Sequence, residues 1–225
     1  MRCFLLGFLA CLALFSVPPA AAQTWEDYDY ENLEFRGVGL ELGVVRPARV
    51  DAALSLGLRA DLGYLGPNVR IFPGISYWSS TMRQQEVNRL SEQLQGVCLR
   101  QRERLAECPP LDLGQIRLSD LAFHLDGHYE WTETPLLLVP YAGLGVGVHL
   151  LNGRGEAING TFIEDFLDGI TPGLNLIGGL RVPITNSFDV IGEARYTLAS
   201  EVRHGSINIG GMLLFPTRAP IQPRR

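Results

Sequence analysis

The most constraining feature of the sequence is the stretch from Gly173 to Phe215, where apolar and polar residues alternate one by one. In its middle, Phe188, Val190, Gly192, Ala194, Tyr196 and Leu198 alternate with Asp189, Ile191, Glu193, Arg195 and Thr197. A period of two places neighbouring side chains on opposite faces, so this stretch predicts three consecutive β-strands. Two architectures fit such strands. A soluble sheet buries its apolar face, whereas a transmembrane barrel turns that face towards lipid.

Five segments upstream show the same alternation, which gives eight predicted strands in all. They lie at about 36–46, 54–62, 69–77, 115–131 and 141–150. Residues 65–68 form a turn between the second and third strands. Pro73 lacks a backbone donor and predicts a bulge or kink in the third strand. Ile116 and Leu118 have the opposite parity to the rest of the fourth strand, which predicts a bulge near Ser119–Asp120.

Two long segments, 79–114 and 152–170, interrupt the strand pattern. In the first, Val87, Leu90, Leu94 and Val97 recur at helical spacing, and residues 162–167 of the second predict about one helical turn. A continuous helix from Cys98 to Cys108 would hold their Cα atoms roughly 15 Å apart, whereas a disulfide tolerates at most about 7 Å. We favour a disulfide between Cys98 and Cys108, in a segment that folds back on itself.

The first 22 residues have the composition of a cleaved signal peptide. A basic start at Met1-Arg2 is followed by an apolar run and by small residues at 20–22. Residues 23–35 then form an acidic and aromatic N-terminal arm, and residues 216–225 form a C-terminal tail. Export places the two remaining cysteines in an oxidising compartment, which favours their disulfide.

Charge and hydropathy narrow the class of protein further. The formal net charge of −5 argues against a nucleic-acid partner. All of the 19 basic residues are arginine, which excludes lysine chemistry. No stretch after the signal peptide has the roughly 18 unbroken apolar residues that a spanning helix needs. A membrane location would therefore require a closed barrel.

The lengths of the connections favour a barrel in the outer membrane. Three connections on one side are short (63–68, 132–135 and 185–187), and the opposite side carries both long loops, the arrangement typical of outer-membrane barrels with periplasmic termini. Charges and glycines share the minority face, which suits a narrow lumen. Aromatic girdles are predicted at both rims by Tyr64, Tyr129, Trp131, Phe188 and Phe215 at one and by Tyr77 and Tyr196 at the other.

On these residues the chain resembles the small eight-stranded outer-membrane barrels related to the transmembrane domain of outer-membrane protein A. The resemblance covers residues 36–215 and includes the final strand INIGGMLLF, which closes with Phe215. It implies an all-β, up-and-down, eight-stranded antiparallel transmembrane barrel, to which the residues of this sequence add a partly helical, disulfide-bearing external loop. It also implies that Phe215 is the signal read by the barrel-assembly machinery. The family usually ends at this aromatic residue, whereas ten residues follow here.

The predicted lumen carries a set of charged residues that we expect to form a network. Its members are Glu41, Arg59, Asp61, Arg70, His124, Asp126, His128, Glu130, Arg181, Asp189, Glu193 and Arg195. Charges that lose water need partners, so this set favours a plug of interlocked salt bridges. The alternative is a wet, narrow channel for ions or small solutes. His124, Asp126, His128 and Glu130 share one face of a strand, and a metal shared by neighbours is the less favoured interpretation.

Three functions fit this sequence, and a structural or surface-interaction role is the favoured one. The second is the narrow channel. The third is a lipid A-modifying enzyme, because His204-Gly205-Ser206 resembles the His-x-Ser pair of a lipid A deacylase, although no acidic residue follows Ser206. We expect no enzyme, catalytic residue, metal or cofactor, and a monomer. The expected partners are outer-membrane lipid and lipopolysaccharide, the assembly machinery, and an external ligand at loops 79–114 and 152–170.

Overall fold

A computed structural model describes residues 33–102, 112–132, 137–200 and 202–216. Its strands form a closed barrel in which each strand pairs antiparallel with the next and β8 pairs with β1. The elements are β1 (Leu33–Pro47), β2 (Ala53–Gly66), β3 (Val69–Thr81), α1 (Gln84–Arg102), β4 (Arg117–Glu130), β5 (Val139–Arg154), α2 (Phe162–Leu167), β6 (Gly169–Thr185), β7 (Phe188–Ala199) and β8 (Arg203–Leu214). The predicted eight-stranded up-and-down barrel is confirmed. Its first strand begins three residues earlier than predicted, at Leu33.

The wall of the barrel is apolar outside and polar inside. On the outer face Leu54 is 80% exposed and Ile207 is 74% exposed, whereas on the inner face Asp61 is 0% and Glu193 is 3% exposed. A soluble sheet would bury its leucines and leave its charges in water. The soluble architecture is therefore wrong, and the inverted wall is that of a barrel made for lipid.

The two rims differ in the length of their connections. We call one rim the turn end: it carries the connections from β2 to β3, β4 to β5 and β6 to β7, together with the start of β1 and the end of β8. We call the opposite rim the loop end: it carries the other four connections between consecutive strands, with both helices. The alternation of short turns and long loops agrees with the prediction. Asn68 closes the β2–β3 turn with φ 62°, a conformation that asparagine tolerates.

The bulge predicted in β3 at Pro73 is absent, because β3 pairs with β4 without a shift through Pro73↔Leu125. The irregularity lies instead in β2, opposite this part of β3. Between Arg59 and Tyr64, β2 has one residue more than the stretch of β3 that faces it. Gly63 lies in this bulge with φ 79°, which a residue without Cβ adopts at no steric cost. Pro73 lies in the facing stretch, where the ladder is already interrupted and a missing N–H costs little.

The bulge also reverses the parity of β2 beyond it. Tyr64 consequently points into the lumen, where its hydroxyl donates to Glu130 Oε2 at 3.0 Å. The prediction that Tyr64 belongs to an outer aromatic girdle is wrong. Other predicted members do lie exposed on the outer face, namely Tyr129 and Phe215 at the turn end and Tyr77 and Tyr196 towards the loop end.

The bulge predicted near Ser119–Asp120 is absent, because β4 pairs with β3 without a shift from Val69↔Tyr129 to Thr81↔Arg117. Leu118 instead keeps its parity and faces inward, with 5% exposure. The lumen itself becomes apolar at this level, so an apolar residue on the inner face of the wall needs no change of register.

An apolar cluster closes the loop end of the lumen, and we call it the apolar cap. Its members are Val45, Val50, Trp78, Met82, Val87, Leu113, Ile116, Leu118, Leu151, Ile158, Ile163 and Val202. Helix α1 contributes Val87, with Leu90 and Leu94 packed against the cluster, whereas Val97 is 54% exposed. The predicted helical excursion and the predicted helical turn at 162–167 are both present.

The disulfide predicted between Cys98 and Cys108 lies only partly within the described residues. Cys98 lies within α1, and the helix continues past it as far as Arg102. Cys108 lies outside the described residues, so its disulfide with Cys98 stays a prediction.

Across the described ranges, neither helix has the length and apolar character needed to span a membrane.

Candidate functional site: the barrel lumen

The lumen is filled at successive levels, and its turn-end level is a cluster of charged side chains. In this turn-end cluster Arg70 donates to Asp61 Oδ1 at 3.0 Å and to Glu130 Oε1 at 3.3 Å. Arg181 donates to Glu130 Oε2 at 2.9 Å and to Asp189 Oδ2 at 3.1 Å. Two arginines therefore bind three carboxylates, and Glu130 is shared between them. Arg70 binds both oxygens of Asp61, and Arg181 binds both oxygens of Glu130, the bidentate geometry typical of guanidinium–carboxylate pairs.

A second group, the central cluster, lies nearer the middle of the barrel. Glu193 accepts from Arg59 Nη2 at 2.8 Å, from Arg195 Nη2 at 3.0 Å and from the Tyr141 hydroxyl at 2.9 Å. Arg195 also donates to Asp126 Oδ2 at 2.7 Å. Glu193 thus binds two arginines and a tyrosine while it is 3% exposed. A buried carboxylate needs this many donors to replace its hydration.

Several of these pairs cross the lumen. Arg59 on β2 pairs both with Glu41 on the neighbouring β1 and with Glu193 on β7, which does not adjoin β2. Asp126 on β4 reaches Arg195 on β7 in the same way. Contacts between non-adjacent strands connect opposite walls, so the clusters obstruct the lumen rather than line it.

Glycines on the inner face of β5 make room for these side chains. A Cβ on Gly143 would lie 2.5 Å from the carbonyl oxygen of Gly127 and 2.7 Å from the ring of His128. A Cβ on Gly145 would collide with the carboxylate of Asp126. The alternating glycines of β5 thus leave the space that the large polar side chains of the neighbouring β4 occupy.

The two histidines predicted in the lumen have different neighbours. His124 Nδ1 lies 2.8 Å from Asp126 Oδ2. His128 lies between two aromatic rings, with its centroid 4.7 Å from that of Phe72 and 4.7 Å from that of Tyr141. Within the described ranges, no group of three or more His, Cys, Asp or Glu is placed to hold a metal ion.

All twelve predicted lumen residues lie on the inner face. The ten carboxylates and guanidiniums among them take part in ion pairs: Glu41, Arg59, Asp61, Arg70, Asp126, Glu130, Arg181, Asp189, Glu193 and Arg195. Six acids and four bases are present, and sharing of arginines between acids satisfies the excess.

A small cavity of mixed polar and apolar lining separates the central cluster from the apolar cap. Its volume is about 40 Å³, and its lining includes His124, His149, Asn175, His204 and Ser206. At about 10–15 Å³ for each water, it has room for roughly three water molecules. Such a volume is too small for an organic solute, and both neighbouring levels are filled by side chains.

Sequence reasoning missed a polar group at this cavity. Asp120 Oδ2 lies 2.9 Å from His149 Nδ1, and the His149 ring lies 6.0 Å from that of His204. Because a bulge was expected near Ser119–Asp120, the sequence did not show whether Asp120 faces the lumen or the lipid. A continuous β4 would have placed Asp120 on the same face as Asp126, and the parity of β5 would have added His149.

The His204–Ser206 pair faces the lumen rather than the lipid. His204 packs against Trp78, with ring centroids 5.9 Å apart, and Ser206 accepts from Asn208 Nδ2 at 3.1 Å. Both line the cavity beneath the apolar cap. A lipid in the surrounding membrane would have to cross the barrel wall to reach them.

Solved structures resemble this chain in fold. Neisserial surface protein A matches with a TM-score of 0.52 and 13% identity, over 80% of this chain and 97% of its own. Ail, the attachment invasion locus protein of Yersinia pestis, matches with 0.44 and 9%, over 81% and 100%, in a complex with the heparin analogue sucrose octasulfate. The N-terminal β-barrel domain of Pseudomonas aeruginosa OprF matches with 0.42 and 14%, over 80% and 97%.

The first of these similarities assigns the fold. The chain has the architecture of the small eight-stranded outer-membrane barrels, as the resemblance in sequence implied. No protein-family profile matches the chain, and no curated protein sequence is significantly similar to it.

Proposed function

We propose that this protein is an outer-membrane β-barrel with a structural or surface-interaction role and a lumen that conducts no solute. One observation carries the proposal. The wall exposes leucines to its surroundings, while the lumen is crossed by ion pairs such as Arg59–Glu193. An apolar exterior needs lipid, and a lumen joined from wall to wall leaves no path for ions. The protein on this proposal is not an enzyme.

The proposed orientation follows from the two rims. The turn end faces the periplasm together with both termini, after removal of residues 1–22, and the loop end faces the outside. The end of β8 supports a role for Phe215 in assembly. The Phe215 ring lies 5.5 Å from that of Phe35, and the Phe215 N–H donates to the carbonyl oxygen of Arg36 at 2.7 Å. The barrel-assembly machinery would then read an aromatic residue that also closes the β1–β8 seam.

The loop end supports the surface-interaction role. Helix α1 packs on the apolar cap through Val87, Leu90 and Leu94, and its other face, with Asn88, Arg89, Glu92 and Gln93, is exposed. Val97, one turn beyond Leu94 towards the end of the helix, is an apolar side chain that is 54% exposed. We propose that an external ligand binds the two long loops, that Cys98–Cys108 braces the first loop, and that the protein acts as a monomer.

Heat-modifiability of the protein in outer-membrane fractions tests the proposed function. A closed barrel resists SDS at room temperature, so boiled and unboiled samples are expected to migrate differently. Recovery of the protein from a soluble periplasmic fraction, with no shift on boiling, would contradict the proposal.

A further inference from the structure

The outward-facing charges at the loop end of the strands are all of one sign. Among the described strand residues, the outward charged positions at this rim are Arg46, Arg117, Arg154 and Arg203. They lie directly beyond the exposed apolar band of the wall. A wall that ends in cations at one rim is suited to a leaflet whose headgroups are anionic.

Two of these arginines are direct cross-strand neighbours. Arg117 on β4 and Arg154 on β5 are paired in register. Side chains opposite each other in an antiparallel pair have Cβ atoms about 5 Å apart, and like charges at such positions are destabilising. Within the described residues, neither arginine has a carboxylate at ion-pair distance. The pair is therefore not neutralised by an ion pair within the described residues, although Asp112, Glu156 and Glu164 line an adjoining pocket with both arginines.

Beneath the pair, the same two strands change polarity in steps. Ser119 faces Asn152 in the next outward-facing pair, and Leu121 faces Leu150 in the one after it. Over these three outward-facing pairs, roughly 13 Å along the strands, the wall thus passes from cationic to neutral polar to apolar. A phosphorylated lipid has the same sequence of groups from its headgroup to its chains.

These residues line one shallow groove on the outer surface of the barrel. The groove is bounded on its apolar side by Tyr77 and Ile170, which are 49% and 74% exposed. Its lining includes Arg117 and Arg154 at the opposite end. One concave surface therefore offers both cations and an apolar channel.

One carboxylate, that of Asp168, also lines the groove and is held by two donors at the end of β5. Asp168 accepts from the Gly153 N–H at 2.8 Å and from Asn152 Nδ2 at 3.3 Å. Asn152 Oδ1 in turn accepts from Arg154 Nε at 2.8 Å. This series of hydrogen bonds fixes the orientation of the Arg154 guanidinium. The two terminal nitrogens of Arg154 have no acceptor among the described residues.

We propose that Arg117 and Arg154 together bind the phosphate of a phosphorylated membrane glycolipid, with an acyl chain lying along Leu121, Leu150 and Ile170. Two adjacent guanidiniums present several donors to one phosphate, and the anion removes their mutual repulsion. The inference rests on the proposed membrane location and adds to it a site on one side of the wall.

The test is lipid retention by the refolded protein in dodecylmaltoside, measured by native mass spectrometry. The probes are bisphosphorylated lipid A, enzymatically dephosphorylated lipid A and inorganic phosphate. The test variant is Arg117→Gln with Arg154→Gln, and the control is Arg46→Gln with Arg203→Gln. The control removes equal charge at the same rim from β1 and β8, on the far side of the barrel.

Wild type and control are expected to retain phosphorylated over dephosphorylated lipid by about tenfold, on the order of one charge-assisted contact. The test variant is expected to lose this preference. Equal loss in both variants, no preference in wild type, or displacement of the lipid by millimolar inorganic phosphate would overturn the inference. If the lipid preference is absent but the protein still fractionates with the outer membrane and shifts on boiling, only the lipid site is wrong. If the protein neither fractionates with the outer membrane nor shifts on boiling, the proposed function is wrong as well.

Discussion

Glu193 is the residue on which the central cluster depends most. It accepts hydrogen bonds from Arg59, Arg195 and Tyr141 inside a wall that excludes water. We expect Glu193→Ala to destabilise the barrel by about 3–5 kcal/mol, because two buried guanidiniums lose a shared partner. Urea unfolding of the refolded protein in detergent micelles, followed by fluorescence, measures the loss.

Asp51→Ala is the matched control for this change. It removes a carboxylate from an ion pair that is exposed at the loop end, 3.8 Å from Arg83. We expect a change of about 0–1 kcal/mol, since exposed pairs contribute little. Equal effects of the two substitutions would mean that water reaches the central cluster, which would contradict a closed lumen.

At the same scale, the sequence predicts which side chains enter the lumen better than it predicts their partners. Period-two alternation places Glu193 and Arg59 on the inner face, but their contact depends on the closure of the barrel, which brings β7 opposite β2. Tyr64 shows the opposite limit. One extra residue in β2 reverses its parity, and no local pattern beyond Gly63 indicates that bulge.

Among the elements, α1 connects a surface loop to the closure of the lumen. Its residue Val87 is 2% exposed in the apolar cap, whereas Val97 on the same helix is 54% exposed. We expect Val87→Asp to release α1 from the barrel, because a buried carboxylate without a partner is costly. Limited trypsin digestion of the refolded protein is then expected to cleave at Arg89 and Arg100.

Val97→Asp introduces the same side chain into the same helix and is expected to leave digestion as in wild type. Both variants are expected to keep the shift on boiling, since the strands are unchanged. Equal protection of α1 in the two variants would show that the helix is held by something other than the apolar cap.

The elements also show where a sequence pattern can mislead. The reversed parity of Ile116 and Leu118 indicates a bulge only if the lumen is polar along its whole length. The structure keeps β4 continuous and changes the environment instead, because residues such as Trp78 and Val87 make the loop end of the lumen apolar. Helical spacing predicted α1, but did not decide whether its apolar face covers the lumen or the loop is presented outward.

In the whole molecule, the lumen is closed at more than one level, and each level blocks it independently. The apolar cap blocks the loop end. Ion pairs between non-adjacent strands cross the middle, at Arg59–Glu193 and Asp126–Arg195, and the turn end, at Arg181–Glu130. A cavity of about 40 Å³ lies between them with no use as a pathway. Opening either level alone would leave the other in place.

We therefore expect the wild-type protein to show no conductance steps in planar bilayers, and Val87→Asp to show none either. The loss of the cap leaves Arg59–Glu193 and Asp126–Arg195 joined across the lumen. A trimeric porin in the same bilayer is the positive control. Steps in wild type would support the narrow channel. Steps in Val87→Asp alone would show that the cap is the barrier to conduction. Ions would then pass the charged clusters, which requires that water enters them and separates the ion pairs across the lumen.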